Sequence, residues 1–179
     1  MDEASFWHLV EDARAEIGVD TERVAQALLR RLRTLRPNAI ERFQELWEQA
    51  QDELYCWPVL DAATLLLGPL DDELAVQDWI VSHGRQTMRD VLDDPDSLVA
   101  LASDRHNARI DWFCGLPLEA HISATGAPFA VDGLPGRNEP YGRSTDLTNE
   151  GEVRRRFPRL AGYLDENRWI PRPWGHSSG

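Results

Sequence analysis

From Ile40 onward, apolar side chains recur at steps of three and four residues: Ile40, Phe43, Trp47, Ala50, Leu54 and Trp57. A strand would alternate every second residue. A stripe with this period predicts an amphipathic helix with one face in a core. That face needs partners, and the segments before it supply them. Phe6, Leu9, Val10, Ala13 and Ile17 predict a helix over 4–17, with Asp2 or Ser5 as its cap and Gly18 as its end. Asp20 or Thr21 opens a second helix with Val24, Leu28, Leu32 and Leu35 inside and Arg30, Arg31 and Arg33 mostly outside, stopped at Arg36-Pro37. The three stripes fit together as an antiparallel bundle.

The rest of the chain repeats the theme. Pro58 interrupts the third helix by a kink or a new start, and the new segment runs to Gly68. Asp71-Asp72-Glu73 places acids at a helix start, where the dipole favours them, and this helix runs to about His83 with Gly84 as its stop. Further helices are expected over 85–93, over 95–102 behind the Asp94-Pro95 cap, over 104–114, and over 117–125 up to Gly126. A long Gly/Pro-rich loop follows to Asp146, then a helix near 148–157 and the segment Phe157-Pro158-Arg159-Leu160. The fold class is therefore all-α. One compact multi-helix domain is expected over 1–165, with an extended tail over 166–179 whose Trp169 and Trp174 either dock back on the domain or bind a partner.

A chain of 179 residues buries enough surface to need neither a metal nor a disulfide staple. Cys56 and Cys114 are too few for a disulfide framework and read as buried thiols. Met1-Asp2-Glu3 is acidic where a secretory leader is basic, and no apolar run approaches the ~20 residues of a membrane helix, so the cytoplasm is the expected location. The net charge is −12 and every one of the 19 side-chain cations is arginine. Residues 1–136 hold 25 acids against 11 arginines, and 137–179 hold 8 arginines against 6 acids. Such a body repels nucleic acid and anionic lipid.

Motifs for chemistry are sparse. There is no Gly-x-Ser-x-Gly elbow, Cys-x-x-Cys pair or phosphate-binding glycine loop. His8 with Glu11 and Asp12, and His106 between Asp104 and Asp111, read as solvated faces, so no metal and no cofactor is expected. Glu45, Glu48 and Asp52 share a helix face, and Asp71 and Asp72 read as dipole caps. Tryptophan beside arginine and acid is how interface hot spots are composed. Trp57 with Asp61, and Asp72 with Trp79 and Arg85, are therefore candidate ligand- or partner-binding residues, joined by Arg159 from the basic run that starts at Arg154. A left-handed Gly84 is expected to turn Arg85 toward Asp61 or Asp72 behind the shield of Trp79, either as a buried strut or as an anion site.

The order of several segments resembles one family. Phe6-Trp7 is followed by Trp57-x-x-x-Asp61-Ala62-Ala63, Gly68, Asp71-Asp72, Trp79-Ile80-Val81-Ser82-His83-Gly84-Arg85, Asp94-Pro95-Asp96-Ser97-Leu98 and Phe157-Pro158-Arg159-Leu160. Over about residues 3–165 this is similar to the bacterial domain-of-unknown-function family 4240, with departures at Pro58 and at Pro69-Leu70. The resemblance implies an α-helical domain, found alone or fused to a tryptophan-glycine-arginine-type domain in proteins labelled molybdate regulators. It implies no catalytic residues. The expected function is a protein-binding or adaptor module with another protein as partner. The alternatives are a small enzyme with a pocket near Trp57, Asp61, Asp72, Trp79 and Arg85, and an immunity-type inhibitor.

Overall fold

The structure, a computed structural model, describes residues 1–129, 138–167 and 170–175. Helix α1 (Glu3–Ile17) is capped by the Asp2 carboxylate on the Ser5 N–H, and α2 (Thr21–Leu32) by Asp20 on the Arg23 N–H. Helix α3 (Pro37–Leu54) carries the founding stripe: Ile40, Phe43, Leu46, Trp47, Ala50 and Leu54 are all buried. Their rings link the helices. Phe6 of α1 lies 5.0 Å from Phe43, Phe43 lies 5.7 Å from Trp47, and Trp47 stacks on Phe113 at 5.4 Å. Each fully buried ring of this kind contributes about 1.5–3 kcal/mol by burial alone.

The stripe stops at Leu54. Cys56 is extended, with φ −138° and ψ 146°, so the helical phase is lost before Trp57. Trp57 instead opens α4 (Trp57–Leu67) and is 37% exposed, which corrects its expected place on the core stripe. Pro58 sits in the first turn of α4, where its missing N–H has no helical partner to lose. Helix α5 (Glu73–Ser82) is buried from Ala75 to Ser82. Gly84, at φ 95° and ψ 171°, both ends that helix and opens α6 (Arg85–Asp93), a conformation that requires glycine.

The expected helices over 95–102 and 104–114 are replaced by one run of 3-10 turns, Pro95–Arg109. Its period of three explains the choice. Leu98, Leu101, Asp104 and Asn107 share one row facing the core, while Ala100, Ser103, His106 and Arg109 share the outer row and are exposed. An α-helix would smear these rows around its surface. The 3-10 run packs against α4, α5, α6 and α9, so it is the central rod of the molecule.

Helix α7 (Leu116–Thr125) covers α2 and α3. Helices α8 (Glu150–Arg156) and α9 (Pro158–Glu166) meet at Phe157, so the Phe-Pro-Arg-Leu segment starts a helix that the sequence reading did not assign. In the tail, Ile170 is buried and Trp174 packs on the core; Trp169 lies outside the described residues, as does 130–137 of the long loop. Helix covers 70% of the described residues, among which no strand and no helix long and apolar enough to cross a membrane occurs.

Candidate functional site

The six residues singled out from the sequence do not converge. Asp61 is buried on α4, where it accepts from Ser144 Oγ at 3.1 Å and the Thr145 N–H at 2.6 Å. It fastens the chain after the loop; burial raises its pKa despite these donors. The Trp57 N–H donates to the Tyr141 carbonyl beside it, at 2.8 Å. Asp72 caps α5 by accepting from the Leu74 and Ala75 N–H groups. Arg159 pairs with Asp94 and Asp96, and buried Asp96 also takes the N–H groups of Arg159 and Leu160 at 2.8 Å each, closing the start of α9. Arg159, a candidate for ligand or partner binding, is thus paired with acids of its own chain.

Arg85 departs from expectation. Its guanidinium pairs with Glu3 at 2.6 Å and its N–H donates to Glu11, both on α1, and it meets neither Asp61 nor Asp72. The reason is Gly84, whose backbone is not left-handed helical but extended at positive φ, which sends the chain toward α1. Both partners are substantially exposed, at 35% and 60%. Arg85→Ala is therefore expected to change the unfolding free energy by no more than about 1 kcal/mol. A loss of about 3–5 kcal/mol in urea denaturation would instead mark a buried strut.

Trp79, fully buried, points elsewhere. Its indole N–H donates to Asp104 Oδ2 at 2.8 Å. The same oxygen accepts from Thr21 Oγ1 at 3.0 Å and lies 3.1 Å from His83 Nε2, while Oδ1 accepts from Asn107 at 2.6 Å. Burial opposes the Asp104 charge, but these donors outweigh it and hold its pKa below the usual carboxylate value. Burial and the Arg14 charge push His83 down to about 4, so near neutrality the ring is uncharged and its Nε2–H donates to Asp104. Arg14 completes the group by donating to Thr21 Oγ1 and to the carbonyl and hydroxyl of Ser82. A cleft of about 730 Å³ opens beside it, lined by His83, His106 and Trp112 among others. Both oxygens of Asp104 already accept from this group, which is a polar joint between α1, α2, α5 and the 3-10 run.

A different arrangement occurs at Asp78. It is 5% exposed, on the buried flank of α5. Oδ1 accepts from the Trp47 indole N–H at 2.5 Å and from Gln51 Nε2 at 2.6 Å. Oδ2 has no hydrogen-bond partner among the described residues. Asp78 lines a cavity of about 250 Å³ whose other walls include Phe43, Trp47, Phe113 and Leu116, with Asp72 and Asp111 as further carboxylates. Burial first, and then Asp111 and Asp72, push the Asp78 pKa up to about 7 against the pull of its two donors. A desolvated carboxylate with one oxygen fixed and one free, in an aromatic-walled cavity, attracts a cation with an apolar body.

Of the six sequence candidates only Asp72 lines this cavity. Asp78 was missed, although a signal existed: it is the one acid inside the run Ala75-Val76-Gln77-Asp78-Trp79-Ile80-Val81, which is otherwise almost wholly apolar. An acid there is either paired or functional.

Comparison with curated proteins gives no match, and neither does comparison with solved structures. A family model does match, over residues 1–116, which takes in α1 to α6, the 3-10 run and the Asp78 cavity up to Leu116. The chain belongs to the family described as "Protein of unknown function (DUF4240)".

Proposed function

We propose that this chain is a protein-recognition module that receives a basic side chain of its partner in the Asp78 cavity. The observation that carries the reading is the free Oδ2 of a buried carboxylate between aromatic walls. An arginine or lysine side chain brings both parts of the complement: a cation for Asp78, and a methylene stem for Phe43, Trp47 and Phe113. Glu48, Asp72 and Asp111 on the wall of the same cavity add to its pull on a basic side chain. Cys56 is buried but Cys114 is exposed, against the expectation of two buried thiols; both are unpaired, which suits the reducing cytoplasm as the place where the module works. The same site serves the immunity-type reading, in which the partner is a basic toxin.

Trp47 touches Asp78, so its fluorescence reports occupancy. Titration with short arginine-containing peptides is expected to give a saturable change that glutamate-containing peptides of equal length do not give. Asp78→Asn keeps the shape and the acceptor for Trp47 and Gln51 but removes the charge, and it is expected to weaken binding at least about tenfold. Affinity is expected to rise from pH 6 to pH 8 as Asp78 ionises near 7. Equal binding of both peptide sets, or an unchanged Asp78→Asn variant, would remove the reading. The poise of Asp78 near neutrality favours one second reading, a small enzyme using it for proton transfer. Turnover of a small molecule that disappears in Asp78→Asn while peptides fail to bind would select that reading.

A further inference from the structure

A second pocket, of about 210 Å³, lies where α1, α3 and α6 meet, lined by Phe6, Trp7, Leu46, Met88, Arg85 and Arg89, with Glu3 and Glu53 also on its wall. Several donors on its wall have no acceptor among the described residues. Trp7 is 7% exposed, and its indole N–H has no acceptor among the described residues. Arg85 Nε is buried and has no hydrogen-bond partner. The Arg89 guanidinium, one turn along α6 from Arg85, has no ion pair or hydrogen bond among the described residues. Of these donors only Arg85 Nε is buried; the Trp7 indole N–H and the exposed Arg89 guanidinium are open to an incoming acceptor.

We propose that this pocket binds a carboxylate carried on a small apolar body, independently of the Asp78 cavity. Arg85 already shows the chemistry, since what it holds is the Glu3 carboxylate at 2.6 Å. A ligand carboxylate takes the Arg89 guanidinium, with the Trp7 indole as a second donor, beside the Arg85–Glu3 pair. Phe6, Leu46 and Met88 supply the surface for an aromatic ring or branched chain. The volume equals roughly seven waters at their liquid share, which suits a ligand of that size. Glu3 and Glu53 on the same wall disfavour a dianion, so a singly charged carboxylate is preferred to phosphate.

The test follows the seven tryptophan indole N–H resonances of the full ¹⁵N-labelled chain by NMR, with Trp7 assigned from Trp7→Phe. Benzoate and 4-methylpentanoate are titrated, with benzamide and inorganic phosphate as comparison probes. The expected result is a saturable shift of the Trp7 resonance with the two carboxylates, absent with benzamide and weaker with phosphate. Arg89→Gln, at an exposed position that leaves the packing intact, is expected to weaken benzoate binding at least about tenfold with the remaining spectrum unchanged. No Trp7 shift, benzamide binding as well as benzoate, phosphate binding more tightly, or Arg89→Gln binding benzoate undiminished would each overturn the proposal. None of these outcomes depends on whether basic peptides bind at Asp78.

Discussion

Asp104→Ala is expected to lower the unfolding free energy by about 3–5 kcal/mol. The size follows from what is left behind. Thr21 Oγ1, Trp79 Nε1, His83 Nε2 and Asn107 Nδ2 all converge on this carboxylate, and Trp79 and Thr21 are almost wholly buried. Each buried donor stripped of its acceptor costs about 1–3 kcal/mol, and four cannot all find water or relax. The donors come from α2, α5 and the 3-10 run, so the loss also loosens the rod on which α4, α6 and α9 rest. For a chain of this length the melting temperature should fall by about 10 °C. Asp104→Asn separates acceptor loss from volume loss. Whichever way its amide is turned, an NH₂ group faces either Asn107 or the three donors on Oδ2, so this variant should also be destabilised, though less. Calorimetry showing a loss under about 1 kcal/mol for Asp104→Ala would mean that these four contacts do not act together.

The helices were legible because the information for them is local. The step of three and four from Ile40 to Leu54 fixes a face, and Asp2, Asp20 and Asp72 cap the turns that follow them by reaching two or three residues ahead. The 3-10 run was legible in principle. Its outer row, Ala100, Ser103, His106 and Arg109, repeats every third residue, but small and polar side chains there match an α-helix nearly as well over a short window. Trp57 was misplaced for a related reason: one extended residue, Cys56, resets the phase, and nothing in its side chain announces that. The sites were harder. Asp104 meets Thr21 across 83 residues of chain, and Asp78 meets Trp47 across 31. Whether an acid in an apolar run is paired or free depends on which distant donors arrive, and that is decided by packing. Arg85 shows the limit from the other side. Its direction depended on the ψ of Gly84, which the glycine's presence alone does not fix.

The pH dependence of stability should contain two opposed contributions from α5, each visible only when the other is removed. Asp78 titrates at about 7 in the folded chain against an ordinary 3.8. Between those values the folded state holds a proton that the unfolded state has released, so rising pH favours unfolding, by up to about 4 kcal/mol at full effect. His83, which ends the same helix, titrates at about 4 against an ordinary 6.5. Over that window the unfolded state holds the proton, so rising pH favours folding, by up to about 3 kcal/mol. From pH 4 to 6.5 the two slopes nearly cancel. Asp78→Asn removes the first contribution: it should match the parent near pH 4, exceed its stability by up to about 4 kcal/mol at pH 8, and show stability rising from pH 4 to 6.5. His83→Gln keeps a donor for Asp104 but cannot ionise, so in that variant stability should fall steadily from pH 4 to 7. Urea unfolding of the parent and both variants at half-unit pH steps measures the differences, in which contributions of unmutated groups such as Asp61 drop out. If Asp78→Asn gains nothing at pH 8, the carboxylate is not desolvated in the folded chain. The charge that the Asp78 cavity offers a basic side chain would then be an ordinary surface charge, and the recognition reading would lose its physical basis.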